Sequence, residues 1–272
     1  MDRLVRISGN RKAHDLPGST VATRLSTGDW PPADHELRVI KRNRKVVSGF
    51  LQPSQQNLPS LFFKHYLTRP SLFSRRAAKR TWKINWSLHT HGVPVPLPHA
   101  LITGNSGVWF ITEAIEGAAA LTERLADNAL TPGQMQTVTT EAARAIAYMH
   151  SLGVIHGDLK WGNILVTEEL TPVLVDLDSA RQRWRVSARA GAKDLARFIV
   201  GGLEQGLNTT WAARICSVYC ETRALSETTI YETMRPVVRR ISLRHQRRYG
   251  RRPVSLDTDP EYPPNDNVPN SK

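Results

Sequence analysis

Asp158, Lys160 and Asn163 share one short stretch, His156-Gly157-Asp158-Leu159-Lys160-Trp161-Gly162-Asn163, and Asp176 closes a following apolar run, Val173-Leu174-Val175. Two carboxylates, an amide and an ammonium in this pattern suit phosphoryl transfer. That reaction needs a hydroxyl oriented, charge on the moving group neutralised, and divalent metal held against nucleotide phosphates. Asp158 would accept or orient the hydroxyl proton, and Lys160 would place a point charge beside the moving phosphate. Asn163 and Asp176 would offer hard oxygen ligands to magnesium. The bland alternative is an Asp and an Asn in a polar turn between core strands, which a motif of this length rarely turns out to be.

Several elements must bring these groups together. The runs Ile164–Val166 and Val173–Val175 predict a hairpin that returns Asp176 beside Asn163. Upstream, residues 132–151 predict a helix that delivers the chain to the Asp158 loop. Thr131 caps it, Pro132 suits its first turn and Gln134 completes a capping box. Met135, Val138, Ala142, Ile146 and Met149 form its buried stripe, and Gly153 marks its end. Downstream, a helix begins near Gly191, with Asp194 either a brace for the Asp158 loop or a helix N-cap. Two further helices are expected at 209–225 and 226–243, the second interrupted or kinked at Pro236.

The first half of the chain reads as a small β-rich lobe. Short apolar runs at Leu37–Ile40, Val46–Leu51 and Leu61–Tyr66 suit three antiparallel strands. Lys64, inside the third, would hold nucleotide phosphates, or else is an outward-facing strand lysine. The turn Asn43-Arg44-Lys45 has no glycine, so basic side chains would cover the phosphates there. Ser71–His91 predicts a helix with Ala78, Trp82, Asn85 or Trp86 and His89 on one side and Arg75, Arg76, Lys79, Arg80 and Lys83 on the other. This helix has no Asp or Glu, so any acidic partner for Lys64 must come from another element. Prolines stiffen the connector Gly92–Pro98, and strands follow at about 99–103 and 108–112. Glu113–Gly117 then reads as a hinge, where the backbone of Glu113 and Ile115 would hydrogen-bond an adenine. The expected division is a flexible leader at 1–34, a small lobe and hinge at 35–117, a larger lobe at 118–243, and a basic, then disordered, tail at 244–272, the last twenty residues being rich in Asp, Asn and Pro.

Composition limits the class. The 272 residues are 40% hydrophobic and 22% charged, enough to bury a full core. A formal charge of +13 favours polyanionic partners: nucleic acid, an anionic membrane surface or a phosphorylated glycolipid. Two cysteines, Cys216 and Cys220, cannot complete a structural zinc site and are expected to be reduced in a cytosolic setting. No run approaches the length of a bilayer-spanning helix, and no signal peptide is apparent.

The sequence resembles the bacterial lipopolysaccharide kinase family, which includes the Kdo and core heptose kinases, over about Leu37 to Phe198. Its marks are Phe62-Phe63-Lys64, the basic helix with Trp82 before Gly92-Val93-Pro94-Val95-Pro96, Thr112-Glu113 with Gly117, the Asp158 loop, Val175-Asp176-Leu177-Asp178, and Asp194-Leu195-Ala196. The resemblance implies an α+β, bilobal protein-kinase-like fold, ATP and magnesium, and transfer to a sugar hydroxyl of the lipid A-core at the inner face of the inner membrane. The protein would then be cytoplasmic and peripheral, with no stable nucleic-acid partner. The span from Asp176 to Asp194 is short and has no Ala-Pro-Glu ending, which favours a small-molecule or glycan hydroxyl over a protein one. A nucleotide-binding pseudokinase scaffold and a kinase-like protein acting on another substrate, RNA-associated included, stay open as alternatives.

Overall fold

The computed structural model describes residues 37–51, 60–67, 72–104 and 107–257. The expected leader at 1–34 and the tail beyond 257 lie outside these residues. The small lobe is a five-stranded antiparallel sheet: β1 (Leu37–Arg42), β2 (Val46–Leu51), β3 (Leu61–Tyr66), β4 (Pro98–Gly104) and β5 (Gly107–Glu113), in the order β1-β2-β3-β5-β4. The β1–β2 hairpin turns on Asn43, whose Oδ1 accepts from the amides of Lys45 and Val46, each at 2.8 Å. An Asx-type turn thus stands where a glycine-rich one was not found.

Alternation along β3 decides what this sheet offers. Leu61 and Phe63 enter a small core with Val47, Leu51, Ala100, Ile102, Trp109 and Ile111. With period two, Lys64 and Tyr66 fall together on the other face. Helix α1 (Leu72–Thr90) follows and serves both lobes. Its Trp82 packs edge-on to Phe110 of β5, with centroids 6.0 Å apart, while Ile84 and Leu88 belong to the main core of the larger lobe. Arg76, Lys79, Arg80 and Lys83 are exposed, as the expected basic face requires.

The larger lobe is mainly helical. After the two-residue strand β6 (Ala119–Ala120) come α2 (Leu121–Ala126) and α3 (Pro132–Ser151), then β7 (Val154–Ile155), β8 (Ile164–Val166), β9 (Pro172–Leu174) and β10 (Arg181–Gln182). The rest is α4 (Ala188–Glu204), α5 (Thr209–Arg223) and α6 (Glu227–Tyr249). The α3 capping box forms as expected: Thr131 Oγ1 accepts from the Gln134 amide at 3.2 Å and Gln134 Oε1 from the Thr131 amide at 2.9 Å.

Three boundaries differ from the sequence expectation. Helix α4 starts at Ala188, because Ser187 accepts from the Ala190 amide and caps it. Helix α6 runs through Pro236 and past 243 to Tyr249, carried by the buried stripe Ile230, Met234, Val238 and Ile241. The expected disordered tail does not begin at 253: Leu256 is buried, its carbonyl accepts from the Tyr231 hydroxyl at 2.6 Å, and the Val254 amide donates to Ser242 Oγ at 2.7 Å. Residues up to 257 therefore pack back on α6.

Candidate active site

The hairpin β8–β9 places the two halves of the motif side by side. Its register pairs Ile164 with Leu174, and the Val175 amide continues the ladder by donating to the Asn163 carbonyl at 3.0 Å. His156 ties the halves again: its Nε2 lies 3.0 Å from the Val175 carbonyl, and its Nδ1 lies 3.4 Å from the Asp158 amide. One nitrogen must donate and the other accept, which is the neutral imidazole. Burial lowers the His156 pKa despite the nearby Asp194, in keeping with that form. Asp176 follows directly, with φ 64° and ψ 56°, a left-handed conformation uncommon for a non-glycine residue and often found at functional sites.

Within the loop the side chains are already ordered. Asp158 Oδ2 accepts from Lys160 Nζ at 2.9 Å and from Asn163 Nδ2 at 3.1 Å. Asn163 Nδ2 also donates to the Asp158 carbonyl at 2.8 Å. Two consequences follow from this pattern. Asp158 Oδ1 accepts no bond from a described residue, so it is available to an incoming hydroxyl. The Asn163 amide nitrogen is spent inward, leaving its Oδ1 without a hydrogen bond from a described residue.

Across the cleft, β3 supplies the counter-charge. Lys64 Nζ lies 2.6 Å from Asp176 Oδ1 and 3.1 Å from Asp178 Oδ2, and the Tyr66 hydroxyl donates to Asp178 Oδ1 at 2.6 Å. Burial works against charge on Lys64, but the carboxylates of Asp178 and Asp176 outweigh it and raise the ammonium pKa. For Asp176, burial pushes upward while Lys64 pulls harder downward, so the carboxyl is held below its usual range. Burial and the Asp178 carboxylate push the Tyr66 phenol up, keeping it protonated as a donor. The acidic partner missing from α1 is thus Asp178, from the turn after Asp176. Sequence reading missed Tyr66, although its place two residues after Lys64 on one strand was the available signal.

The segment expected as a hinge is tied to the connector before β4. The Glu113 amide donates to the Leu97 carbonyl at 2.9 Å, and the Leu97 amide donates to the Glu113 carboxylate at 2.7 Å. Glu113 therefore uses its side chain and N–H to brace the connector, and its carbonyl accepts from Thr112 Oγ1 at 3.0 Å with one lone pair left over. Ala114 is tied to Ser60 at 3.0 Å. Ile115 lies beyond these bonds, with no hydrogen bond to a described residue.

Beneath the loop lies a buried polar network. Asp194, fully buried on α4, accepts from the His156 amide at 2.7 Å and from the Gly157 amide at 3.0 Å. It is a brace and not a helix cap, since Ser187 does the capping. His150 Nε2 lies 3.3 Å from Asp194 Oδ2, its Nδ1 lies 2.8 Å from the Tyr219 hydroxyl, and Arg223 donates to that hydroxyl at 2.7 Å. Burial raises the Asp194 pKa, but the hydrogen bond and charge of His150, with His156 and Arg197, more than offset it, so the carboxyl is held low. A second anchor is Trp161, buried against Phe198 and Trp211, whose Nε1 donates to the Phe198 carbonyl at 2.9 Å.

No group of three or more His, Cys, Asp or Glu among the described residues could hold a metal alone. Asn163 and Asp176 nonetheless fit magnesium, which is commonly held by one or two protein oxygens together with nucleotide phosphates and water. A β-lobe lysine facing the Asp176 turn, over a loop that carries an acid and an amide, is the arrangement of a kinase-like fold.

The chain belongs to the lipopolysaccharide kinase (Kdo/WaaP) family, whose model matches residues 54–219. Shorter similarities reach protein kinases. The serine/threonine-protein kinase STE20 of Eremothecium gossypii is 37% identical over 75 residues, which is 28% of this chain and 8% of that protein. The serine/threonine-protein kinase PAK mbt of Drosophila melanogaster is 37% identical over 65 residues, 24% of this chain and 10% of its own length. Serine/threonine-protein kinase 1 of Arabidopsis thaliana is 32% identical over 87 residues, 32% of this chain and 10% of its own. The matched stretch thus spans about a tenth or less of each of these relatives.

Proposed function

We propose that this protein transfers the terminal phosphate of ATP to a sugar hydroxyl of the lipopolysaccharide inner core, working at an anionic membrane face. The observation that carries the reading is the Asp158 carboxylate, fixed through Oδ2 by Lys160 and Asn163 with Oδ1 left open. In the step, the acceptor oxygen forms a bond to the terminal phosphorus, the bond from that phosphorus to the bridging oxygen breaks, and ADP leaves. Asp158 orients the hydroxyl and takes its proton. Lys160 sits beside Asp158, where negative charge gathers on the transferred group. Magnesium, held by Asn163 and Asp176, would neutralise charge on the nucleotide phosphates. Lys64 would bind those phosphates, positioned by Asp178 and Tyr66, and the hinge backbone at Glu113 and Ile115 would meet the adenine.

The acceptor class rests on the family match and on the short span between Asp176 and Asp194. Support for a membrane face comes from α6, where Arg240, Arg244, Arg247 and Arg248 line one open cleft of about 560 Å³ around Leu243. Other arginines of that segment are used internally: Arg235 pairs with Asp257, and Arg251 lies 3.2 Å from Glu204. No helix among the described residues is long and apolar enough to cross a membrane.

The test is Asp158→Asn. Turnover should fall about 10²-fold or more while nucleotide still binds, the scale of a lost general base. Transfer near the wild-type rate would remove Asp158 from this role. Mass analysis of core oligosaccharide from cells with and without the gene identifies the acceptor through one lost phosphate.

A further inference from the structure

Trp184 is 101% exposed, the extreme among the large hydrophobic side chains described. A tryptophan is seldom left wholly in water, because its ring is among the largest apolar surfaces a protein carries. Its neighbours in the chain, Arg181, Arg183 and Arg185, are exposed too, and none forms an ion pair with a described residue.

This loop is not loose. Ala180 and Val186 are buried on either side of it. Strand β10 pairs Arg181 with Ile155 and Gln182 with Val154. The Arg183 amide donates to the Gly153 carbonyl at 2.7 Å, Gln182 Nε2 donates to the Leu152 carbonyl at 2.9 Å, and Arg223 Nη2 donates to the Val186 carbonyl at 2.8 Å. A Cβ at position 153 would lie 2.3 Å from the Arg183 carbonyl, so the glycine lets the two backbones close up. The fold holds both ends of the segment and still turns its tryptophan outward.

We propose that residues 181–185 form an interfacial anchor, in which Trp184 enters the headgroup boundary of an anionic lipid surface and Arg181, Arg183 and Arg185 meet the phosphates. The proposal rests on the membrane-face reading above and names a device for it. Tryptophan suits this boundary, with its apolar ring toward the acyl chains and its N–H toward water. The clamped backbone lowers the ordering entropy that insertion would otherwise cost. Single-stranded nucleic acid is the weaker match, since that mode uses successive aromatic platforms along a basic groove and this loop has one ring. Because β10 pairs with the strand that runs into His156, a docked surface would be held in fixed relation to the Asp158 loop.

The experiment compares the wild type with Trp184→Ala, Trp184→Phe, the triple change Arg181→Gln, Arg183→Gln, Arg185→Gln, and the α6 change Arg240→Gln, Arg244→Gln, Arg247→Gln, Arg248→Gln. Binding is measured on phosphatidylcholine vesicles with and without phosphatidylglycerol. Brominated acyl chains report on tryptophan depth, and a single-stranded oligonucleotide serves as competitor. Wild type should bind the anionic vesicles and be quenched, and Trp184→Phe should lose most of the quenching while melting at the same temperature. Trp184→Ala should weaken partition about tenfold. Each arginine removed should weaken it about fivefold, less at high salt. If wild type binds anionic vesicles and the loop variants bind and quench equally, the anchor is wrong while the membrane reading stands. If wild type binds no vesicle, both fall. Loss of oligonucleotide binding in the loop variants, with vesicle binding intact, would reassign the loop to nucleic acid.

Discussion

Gly191→Ala should destabilise the protein by about 2–4 kcal/mol, although alanine is the better helix former by about 1 kcal/mol. The residue lies in the first turns of α4, and a Cβ there would stand 2.2 Å from the Tyr219 hydroxyl, 2.9 Å from Arg223 Nη1 and 3.3 Å from His150 Nδ1. The hydroxyl would have to retreat by about an ångström to reach ordinary contact. Its bonds to His150 at 2.8 Å and from Arg223 at 2.7 Å could not survive that move. Leaving buried partners unsatisfied costs about 1–3 kcal/mol, and overpacking adds about 1–3 kcal/mol. Set against the gain in helix propensity, the midpoint of these terms is about 3 kcal/mol, inside the stated range, and the melting temperature should fall by roughly 5–15 °C. Tyr219→Phe alone should cost about 1–3 kcal/mol, because it strands the same two partners. The decisive measurement is the double-mutant cycle by urea unfolding. Phenylalanine has no hydroxyl for the new methyl to meet, so Gly191→Ala with Tyr219→Phe should cost about 1–2 kcal/mol less than the two single changes added. Strict additivity, or a Gly191→Ala variant more stable than wild type, would refute the reasoning.

Asp176→Ala should abolish the tightening of ATP binding by magnesium in titration calorimetry, and an unchanged magnesium effect would move the ligand elsewhere, Asp178 first. Asp178→Asn should raise the KM for ATP about tenfold, the scale of a lost hydrogen bond between charged groups, with Tyr66→Phe acting in the same direction but less; equal KM values would separate Asp178 from Lys64. For Asp194 the folded pKa lies below the unfolded one of about 3.9, so its contribution to stability is present above about pH 4 and is lost as pH falls through the folded value. The gap in urea midpoint between wild type and Asp194→Asn should therefore be widest near neutrality and shrink below about pH 4; a gap independent of pH would mean that the charge of Asp194 adds nothing.

Local pattern made much of this architecture legible before any coordinates. The α3 cap is written in Thr131, Pro132 and Gln134, and the β8–β9 hairpin in two apolar runs around a polar turn. The same short-range signals brought Asp158, Lys160, Asn163 and Asp176 into one site. What stayed hidden depends on distant partners. His150 and Tyr219 are far apart in sequence, each plausible as an ordinary helix residue, and only the packing of α3, α4 and α5 shows why Gly191 must sit between them. In the sequence Asp178 is only the end of the Val175–Asp178 stretch, and its pairing with Lys64 and Tyr66 requires the two lobes to be set face to face. Charge density misled as well. The arginines after 243 looked like a tail because they crowd out the apolar stripe, and Val254 and Leu256 were too few to show that the chain folds back.

Both carboxylates that face Lys64 come from one turn, at Asp176 and Asp178. In protein kinases the matching glutamate rides on the helix of the small lobe, so a swing of that helix can make or break the ion pair and switch the enzyme. Here α1 has no acidic side chain to carry away, and Ile84 and Leu88 fasten it into the core of the larger lobe. A rotation of α1 would therefore carry no carboxylate of its own away from Lys64. Any on–off control of lysine placement must then act on the turn from Asp176 to Asp178, whose left-handed residue is the natural pivot, and a ligand or partner that leans on α1 would reach the chemistry only by way of the Leu177–Ser179 turn, against which the helix packs.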